Sequence, residues 1–233
     1  MPETIAGNIK SVTERMARCC EKSGRPRDCA RLIVVTKAAS VLQAEEAMRS
    51  GACDLGENRV QDALVKYRAI GDRVKWHLIG HLQTNKVRDA VGIFSLIHSV
   101  DSIKLARAID KEAAKAGKRQ SILIQVNVSG EDSKFGIPPG DAAGFLKEAS
   151  AYPNISIEGL MTIAPESADP EASRPHFRKL RELRDAIRNT QYAIRTLSMG
   201  MTNDFEAAIE EGSTIIRVGR AIFGPPSLVT FSD

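Results

Sequence analysis

Cysteine is scarce in this sequence, and no stretch is apolar enough to suggest a membrane span. Only four of the 233 residues are cysteine, and no two of them form a C-x-x-C pair. We therefore expect reduced thiols and a cytoplasmic protein. No apolar run approaches the ~20 residues of a membrane-spanning helix. The polar start, MPETIAGNIK, lacks the apolar core of a secretory signal.

Composition narrows the class of protein further. Hydrophobic residues make up 42% of the chain and charged residues 27%, which is the balance of a soluble globular protein. The net charge of +4 suits an anionic small molecule as well as a nucleic acid, so it does not discriminate between them. No low-complexity tract or Ser/Gly-rich linker interrupts the chain. We expect a single domain over residues 1–233.

Short runs of β-forming residues recur at spacings of roughly 20–35 residues, the scale of a βα unit. The eight runs are 31–36, 53–57, 76–80, 96–100, 122–128, 157–163, 195–200 and 214–219. Helical patterns separate them, as in 102–117 and 170–189, and one more amphipathic helix, 3–23, precedes the first run. The pattern predicts a single (β/α)₈ TIM-type barrel with an extra N-terminal helix. An open doubly wound sheet is the alternative, but no G-x-G-x-x-G follows the first run.

A lysine follows the first predicted strand. The run RLIVVT leads directly to Lys37. In a TIM-type barrel the active site lies at the carboxyl ends of the strands, so Lys37 falls where chemistry is expected. One interpretation is a solvated end residue. The other is a lysine at the barrel mouth, whose burial among apolar strands favours a neutral, nucleophilic amine.

The last two predicted strands end in segments typical of a phosphate site. These are SMGMTND (198–204) and RVGR (217–220). TIM barrels often bind phosphate in the loops after strands seven and eight, through main-chain N–H groups. Hydroxyls, glycines that admit an anion, and one further cation are available there: Ser198, Thr202, Gly200, Gly219 and Arg220. An ordinary capped turn is the alternative, because Thr202, Asn203 and Asp204 are good capping residues.

These features together point to a phosphorylated aldehyde. Once the barrel closes, the first strand neighbours the last, so Lys37 could form a Schiff base while the loops hold the phosphate. Pyridoxal 5′-phosphate (PLP) is the common molecule of this kind. Period-two alternation turns Arg217 inward, where it needs an acceptor. That acceptor is a carboxylate, a ligand atom such as the pyridine nitrogen of PLP, or the carbonyls at the strand ends.

Several longer motifs carry a resemblance to a known family. They are VVTK, GENRVQD, WHLIGHLQTNK, IHSVDS, QVNVSGEDSKFG, GLMTI, LSMGMTNDFEAAIEEGST and RVGRAIFG. With them the chain resembles the YggS/PROSC family of pyridoxal phosphate homeostasis proteins, which are similar in fold to the barrel domain of bacterial alanine racemase. The resemblance implies PLP on Lys37 and the pyridine nitrogen near Arg217. It implies phosphate ligands at Ser198, Gly200, Thr202, Gly219 and Arg220, and a ring pocket lined by Asn58, His81 and Met161.

The resemblance leaves three functions to compare. The first, which we favour, is a PLP-binding protein that buffers the cofactor and delivers it to PLP-dependent apo-enzymes. The second is a weak PLP-dependent racemase, which needs a base opposite the lysine, yet Tyr67, Tyr152 and Tyr192 all fall in or beside predicted helices. The third is a barrel for another sugar phosphate. We expect a monomer with no catalytic residue, no metal site, no nucleic acid and no membrane partner.

Overall fold

The protein alternates strands and helices along its whole described length. The structure is a computed structural model that describes residues 4–188, 192 and 194–225. The strands are β1 (Arg31–Val35), β2 (Asp54–Glu57), β3 (Lys75–Leu78), β4 (Leu96–Val100), β5 (Gln120–Gln125), β6 (Ile155–Met161), β7 (Thr196–Ser198) and β8 (Ile215–Val218). The helices are α1 (Ile5–Lys22), α2 (Val41–Arg49), α3 (Val60–Ile70), α4 (Val87–Ile93), α5 (Ile103–Lys115), α6 (Ala142–Ala149), α7 (Arg174–Arg188), α8 (Phe205–Glu210) and α9 (Arg220–Phe223).

The strands form one closed parallel barrel in chain order. Each strand pairs with the next, and β1 closes the ring against β8, with Val34 opposite Val218. This confirms the predicted (β/α)₈ TIM-type barrel and the extra N-terminal helix, and it excludes the open sheet. All eight predicted strands are present within a few residues of their predicted ends. Residue 3 of the predicted first helix, residue 189 of the predicted 170–189 helix and the ends of the 1–233 domain lie outside the described residues.

Hydrogen bonds to N-capping side chains define where helices α2 and α5 begin. Ser40 accepts a hydrogen bond from the Gln43 N–H at 3.2 Å, and the Gln43 side chain accepts one from the Ser40 N–H at 2.9 Å. This capping box satisfies two N–H groups that helix α2 would otherwise leave unpaired. Ser102 caps α5 in a similar way by accepting from the Leu105 N–H. The predicted 170–189 helix begins instead with a 3₁₀ turn, Pro170–Ser173, before α7.

Two apolar layers hold the barrel together. Alternate strand residues point inward and outward, so Ile33 and Ile215 face the barrel interior while Val34 and Ile216 face the helices. The interior layer is small and comprises Ile33, Leu96, Leu123, Met161 and Ile215. Much of the remaining interior is polar, since His77, His98, Ser198 and Arg217 are buried there. A polar interior must be satisfied by hydrogen bonds, and this requirement shapes the candidate site.

The N-terminal helix packs beside the last βα units. The Asn8 side chain donates to the Ile222 carbonyl at 2.9 Å, and Arg15 pairs with Glu206 at 3.1 Å. Among the described residues, no helix combines the length and the apolar character that a membrane span requires.

The cysteines depart from the expectation of reduced thiols. Cys20, at the end of α1, is joined by a disulfide to Cys29, just before β1. Cys19 and Cys53 are free. The expectation was therefore wrong for one pair. The spacing of the cysteines in the sequence does not indicate this pair, because the two thiols meet only when the chain turns back between helix α1 and strand β1.

Candidate functional site

Lys37 lies at the carboxyl end of the barrel, two residues beyond β1. Its main chain is fixed through the preceding residue: the Thr36 N–H donates to Gly56 O at 2.9 Å, and the Thr36 carbonyl accepts from Lys66 Nζ at 2.7 Å. The Lys37 side chain itself is exposed. The expectation that the Lys37 amine is buried among apolar strands is therefore wrong, although its position at the mouth is as predicted.

A buried ion pair supports the peptide before Lys37. Lys66 Nζ lies 2.7 Å from Glu57 Oε1, and Thr36 Oγ1 donates to the same oxygen at 2.5 Å. Both charged side chains are almost completely shielded from solvent. Glu57 Oε2 is buried without a hydrogen-bond partner among the described residues. Burying an oxygen without a hydrogen bond lowers the stability of the fold. We therefore interpret the Lys66–Glu57 pair as fixing the geometry of the mouth more than adding stability.

The loops after β7 and β8 meet beside β1. The main-chain N–H of Arg217 donates to Gly200 O at 3.0 Å, which ties the loop after β7 to β8. Gly219 lies against β1, where a Cβ would stand 3.0 Å from Val35 O. Gly200 has φ +95°, and a Cβ there would lie 2.5 Å from the Ala208 Cβ. Glycine is required at Gly200 by both backbone conformation and packing, and the two loops face the same edge of the barrel as Lys37.

Main-chain donors without acceptors line these two loops. Within the described part of the chain, no hydrogen bond is made by the N–H groups of Gly200, Thr202, Asn203, Gly219, Arg220 and Ala221. Asp204 occupies the N-cap of α8, yet its carboxylate accepts from the Met201 N–H at 2.6 Å rather than from the helix. Free N–H groups in two neighbouring loops are suited to the oxygens of a phosphate.

Arg217 is buried at the end of β8, as the alternation predicts. Nη1 donates to Ser198 Oγ at 2.6 Å, and Nη2 donates to the Thr162 carbonyl at 2.9 Å. Three of its five N–H groups make no hydrogen bond to the described residues. Burial lowers the pKa of Arg217 to about 10, and the charge of Asp204 opposes that shift. The side chain therefore contacts a strand-end carbonyl and still has donors for a ligand acceptor.

Behind Arg217, a chain of buried polar groups runs through the barrel interior. Ser198 Oγ lies 2.9 Å from His98 Nδ1, and His98 Nε2 lies 3.1 Å from His77 Nδ1. His77 Nε2 lies 2.8 Å from Asp54 Oδ1 at the start of β2. We call Asp54, His77, His98 and Ser198 the interior relay. It connects Arg217 at the mouth to the opposite end of the barrel.

The interior relay was missed in the sequence. Neither His77 nor His98 is among the site residues predicted from the sequence. Alternation along β3 and β4 was the available signal, because it turns His77 and His98 inward together with Asp54. The Ser198 hydroxyl, predicted to hold phosphate, forms hydrogen bonds with Arg217 and His98.

The remaining predicted site residues differ in their surroundings. Asn58 is half-buried after β2, and a Cβ on Gly80 would overlap its main chain. The His81 ring is exposed and stacks on Phe135, with centroids 4.2 Å apart. Met161 is fully buried in the interior apolar layer. The Arg220 side chain is exposed, and its nearest carboxylate is Glu166 at 3.6 Å. Among the described residues, no group of three or more potential metal ligands is present.

The fold and the site together define a TIM-type barrel with a lysine and two loops of unpaired main-chain N–H groups at its mouth. A family model described as "Alanine racemase, N-terminal domain" matches residues 8–226. The chain is 45% identical over 218 residues to a protein of Aquifex aeolicus (strain VF5) named "Pyridoxal phosphate homeostasis protein", covering 93% of this chain and 96% of that one. This chain belongs to the alanine racemase N-terminal domain family, and within it to the pyridoxal phosphate homeostasis proteins.

Solved structures support the same family. PipY of Synechococcus elongatus PCC7942, solved with PLP bound, matches with a TM-score of 0.80 and 35% identity, covering 91% of this chain and 100% of that one. An alanine racemase of Clostridium difficile 630 matches with a TM-score of 0.75 and 15% identity, covering 94% of this chain and 56% of that one. The second likeness concerns the fold alone.

Proposed function

We propose that this chain binds PLP through Lys37 and takes part in PLP homeostasis, holding the cofactor and delivering it to PLP-dependent apo-enzymes. The observation that carries the proposal is the arrangement at the mouth. A lysine, two loops of unpaired N–H groups and the free donors of Arg217 share one edge of the barrel. PLP homeostasis proteins are the named relatives, and the related PipY has been solved with PLP.

Each part of the proposed site suits one part of PLP. PLP supplies an aldehyde that condenses with an amine and a ring that withdraws electrons. The Lys37 amine binds the aldehyde carbon with loss of water, and the main chain around Thr36 orients it. Gly200, Thr202, Gly219 and Arg220 hold the phosphate, mainly through N–H groups. Asn58, His81 and Met161 line or support the ring pocket.

Arg217 faces the pyridine nitrogen in this proposal. A guanidinium retains its proton near neutral pH, so it donates to the nitrogen without protonating it. The Ser198 hydroxyl supports Arg217 from the barrel interior. Our proposal therefore moves Ser198 from the phosphate to the ring side of the site.

The positions of the tyrosines favour a carrier over a racemase. Tyr67 donates to Asp72 at 2.8 Å just before β3, and Tyr152 accepts from Arg107 at 3.2 Å before β6. Tyr192 precedes β7. Residues that precede strands lie at the amino-terminal end of a parallel barrel, opposite Lys37, so none of the three is placed to act as a second base. We propose a cytoplasmic monomer, with apo-enzymes as acceptors of the cofactor.

Absorption spectroscopy tests PLP binding. Adding PLP to the native protein should produce a visible band that borohydride abolishes by reducing the bond to Lys37. Lys37→Ala should lose the band. Lys75→Ala, an exposed lysine at the start of β3 on the opposite end of the barrel, is the matched control and should keep it. A band that persists in Lys37→Ala would assign the cofactor to another lysine.

A second experiment separates carrier from racemase. Protein loaded with PLP should restore the activity of a PLP-dependent apo-enzyme. With stoichiometric protein, a chiral assay should show alanine racemising no faster than with free PLP. Turnover of ~1–10³ per second that depends on Lys37 would instead show an ordinary enzyme.

A further inference from the structure

The interior relay has a defined direction of hydrogen bonding. The donor and acceptor of each hydrogen bond can be assigned by starting at Asp54, because an ionised carboxylate can only accept hydrogen bonds. Burial opposes ionisation of Asp54, but the hydrogen bond from His77 and the positive charges of Arg31 and Lys75 outweigh burial and lower its pKa. The charged form therefore prevails near neutral pH, and His77 must donate to it from Nε2.

The tautomers of both histidines follow. Burial lowers the pKa of His77, and it lowers the pKa of fully buried His98 further, so both rings are neutral. A neutral His77 that is protonated at Nε2 has a bare Nδ1, which accepts from His98 Nε2. His98 then has a bare Nδ1, which accepts from the Ser198 hydroxyl.

The last hydrogen bond to assign joins Ser198 and Arg217. A hydroxyl has one hydrogen, and the hydrogen of Ser198 is committed to His98. Ser198 Oγ is thereby left as an acceptor directed at Arg217 Nη1, 2.6 Å away. Every donor in the chain points from Arg217 toward Asp54. If His98 carried its proton on Nδ1, Ser198 would receive two donors and lose its acceptor for its own hydrogen. Buried polar groups are seldom left in such a state.

We infer that His98 is a positioning residue for Arg217: acting through Ser198, with its tautomer set by His77 and Asp54, it fixes the guanidinium so that its remaining N–H groups face the ligand. The inference rests on the proposed function, since it assigns Arg217 to the pyridine nitrogen. Asp54 and Arg217 lie at opposite ends of the barrel, so the relay links the cofactor site to a residue far from it.

The tautomers can be measured without any ligand. Ring ¹⁵N shifts of the ligand-free protein near neutral pH should show both buried histidines protonated at Nε2 and bare at Nδ1. A protonated Nδ1 on His98 would overturn the relay. This readout is independent of PLP, whereas the visible band of the native protein tests PLP binding alone. Failure of the relay and failure of the proposed function are therefore distinguishable.

Four variants test the link to the ligand site. His98→Leu and Ser198→Ala should each weaken PLP binding about tenfold, the typical effect of one lost buried hydrogen bond. His98→Asn should stay within about twofold of the native protein, because its Oδ1 replaces Nδ1 as the acceptor for Ser198. The double variant Ser198→Ala/His98→Leu should lose no more than either single one, since both changes break the same link.

If His98 and Ser198 instead affect PLP binding through independent packing, the variants should give a different result. In that case the two losses multiply in the double variant, and His98→Asn weakens binding as much as His98→Leu, either of which would overturn the inference. Thermal melting of each variant controls for folding. If His98→Leu does not fold, Ser198→Ala, His98→Asn and the ¹⁵N shifts still decide the question.

Discussion

At the residue scale, the two cationic side chains of the candidate site, Arg217 and Lys37, differ in burial and in hydrogen bonding. Arg217 is buried, with two N–H groups fixed by Ser198 and Thr162. Lys37 is exposed, and only the peptide before it is fixed. A fixed donor suits the recognition of a ring nitrogen, whereas an exposed amine suits a covalent bond that must form and be released. Both features agree with our proposal that the protein holds PLP and releases it.

The two hydroxyls of the SMGMTND segment should affect different parts of PLP. Thr202 lies in the loop with unpaired N–H groups, and Ser198 contacts Arg217. We predict that Thr202→Val weakens PLP binding by one to two powers of ten, because a hydrogen bond to a charged group contributes about 1.5–3 kcal/mol. Pyridoxal, which has no phosphate, should lose almost nothing. Dissociation constants for both ligands check this.

Ser198→Ala is the matched control for this comparison. Its hydroxyl faces the ring side, so it should weaken PLP and pyridoxal by the same factor. The opposite pattern, with Ser198→Ala selective for PLP and Thr202→Val equal for both ligands, would return Ser198 to the phosphate.

At the scale of elements, the β7–α8 loop depends on one glycine. Gly200 combines φ +95° with close packing against Ala208. We predict that Gly200→Ala lowers the free energy of unfolding by about 1–3 kcal/mol through backbone strain and overpacking. Gly92→Ala is the control, because Gly92 lies in α4 and a Cβ there meets nothing within 4 Å. Urea denaturation should show Gly92→Ala unchanged or more stable; equal losses in both would contradict the role of Gly200.

The sequence predicts the secondary-structure elements better than it predicts the side-chain contacts between them. Period-two runs and capping residues are local, so the eight strands and the inward turn of Arg217 could be predicted from the sequence. The interior relay joins Asp54, His77, His98 and Ser198 across four strands. Alternation turns these side chains inward, but no local pattern shows which of them contact one another. The exposure of Lys37 depends on how the β1–α2 turn leaves the barrel. The Cys20–Cys29 bond depends on the turn between α1 and β1.

At the scale of the whole molecule, the barrel has a divided interior. Apolar side chains such as Ile33 and Leu123 fill part of it, and the relay fills the rest. Two neutral histidines in the centre make the fold sensitive to pH. A buried neutral histidine binds its proton less readily than it does in the unfolded chain, and protonation then favours unfolding.

The sign and window of this effect follow from the pKa shifts. Burial lowers the pKa of His77, despite the opposing effect of Asp54, and lowers that of His98 well below the ordinary value. Histidines of the unfolded chain titrate near pH ~6.5. Stability should therefore be highest above pH ~6.5 and fall as the pH drops toward the folded-state values, by up to about 1.4 kcal/mol per pH unit for each histidine.

Urea denaturation between pH 8 and pH 5, taken as an approximate working range, measures this loss. The native protein should lose stability steadily below pH ~6.5. His98→Asn, which keeps an acceptor for Ser198 but cannot titrate, should show a shallower acid limb because one proton-binding group of the unfolded state is gone. His176→Asn removes a histidine outside the barrel interior, on α7, and serves as the control for the substitution itself. If His98→Asn and the native protein lose stability with the same slope, His98 binds a proton as readily in the folded protein as in the unfolded chain, which contradicts the lowered pKa on which the neutral chain from Arg217 to Asp54 depends.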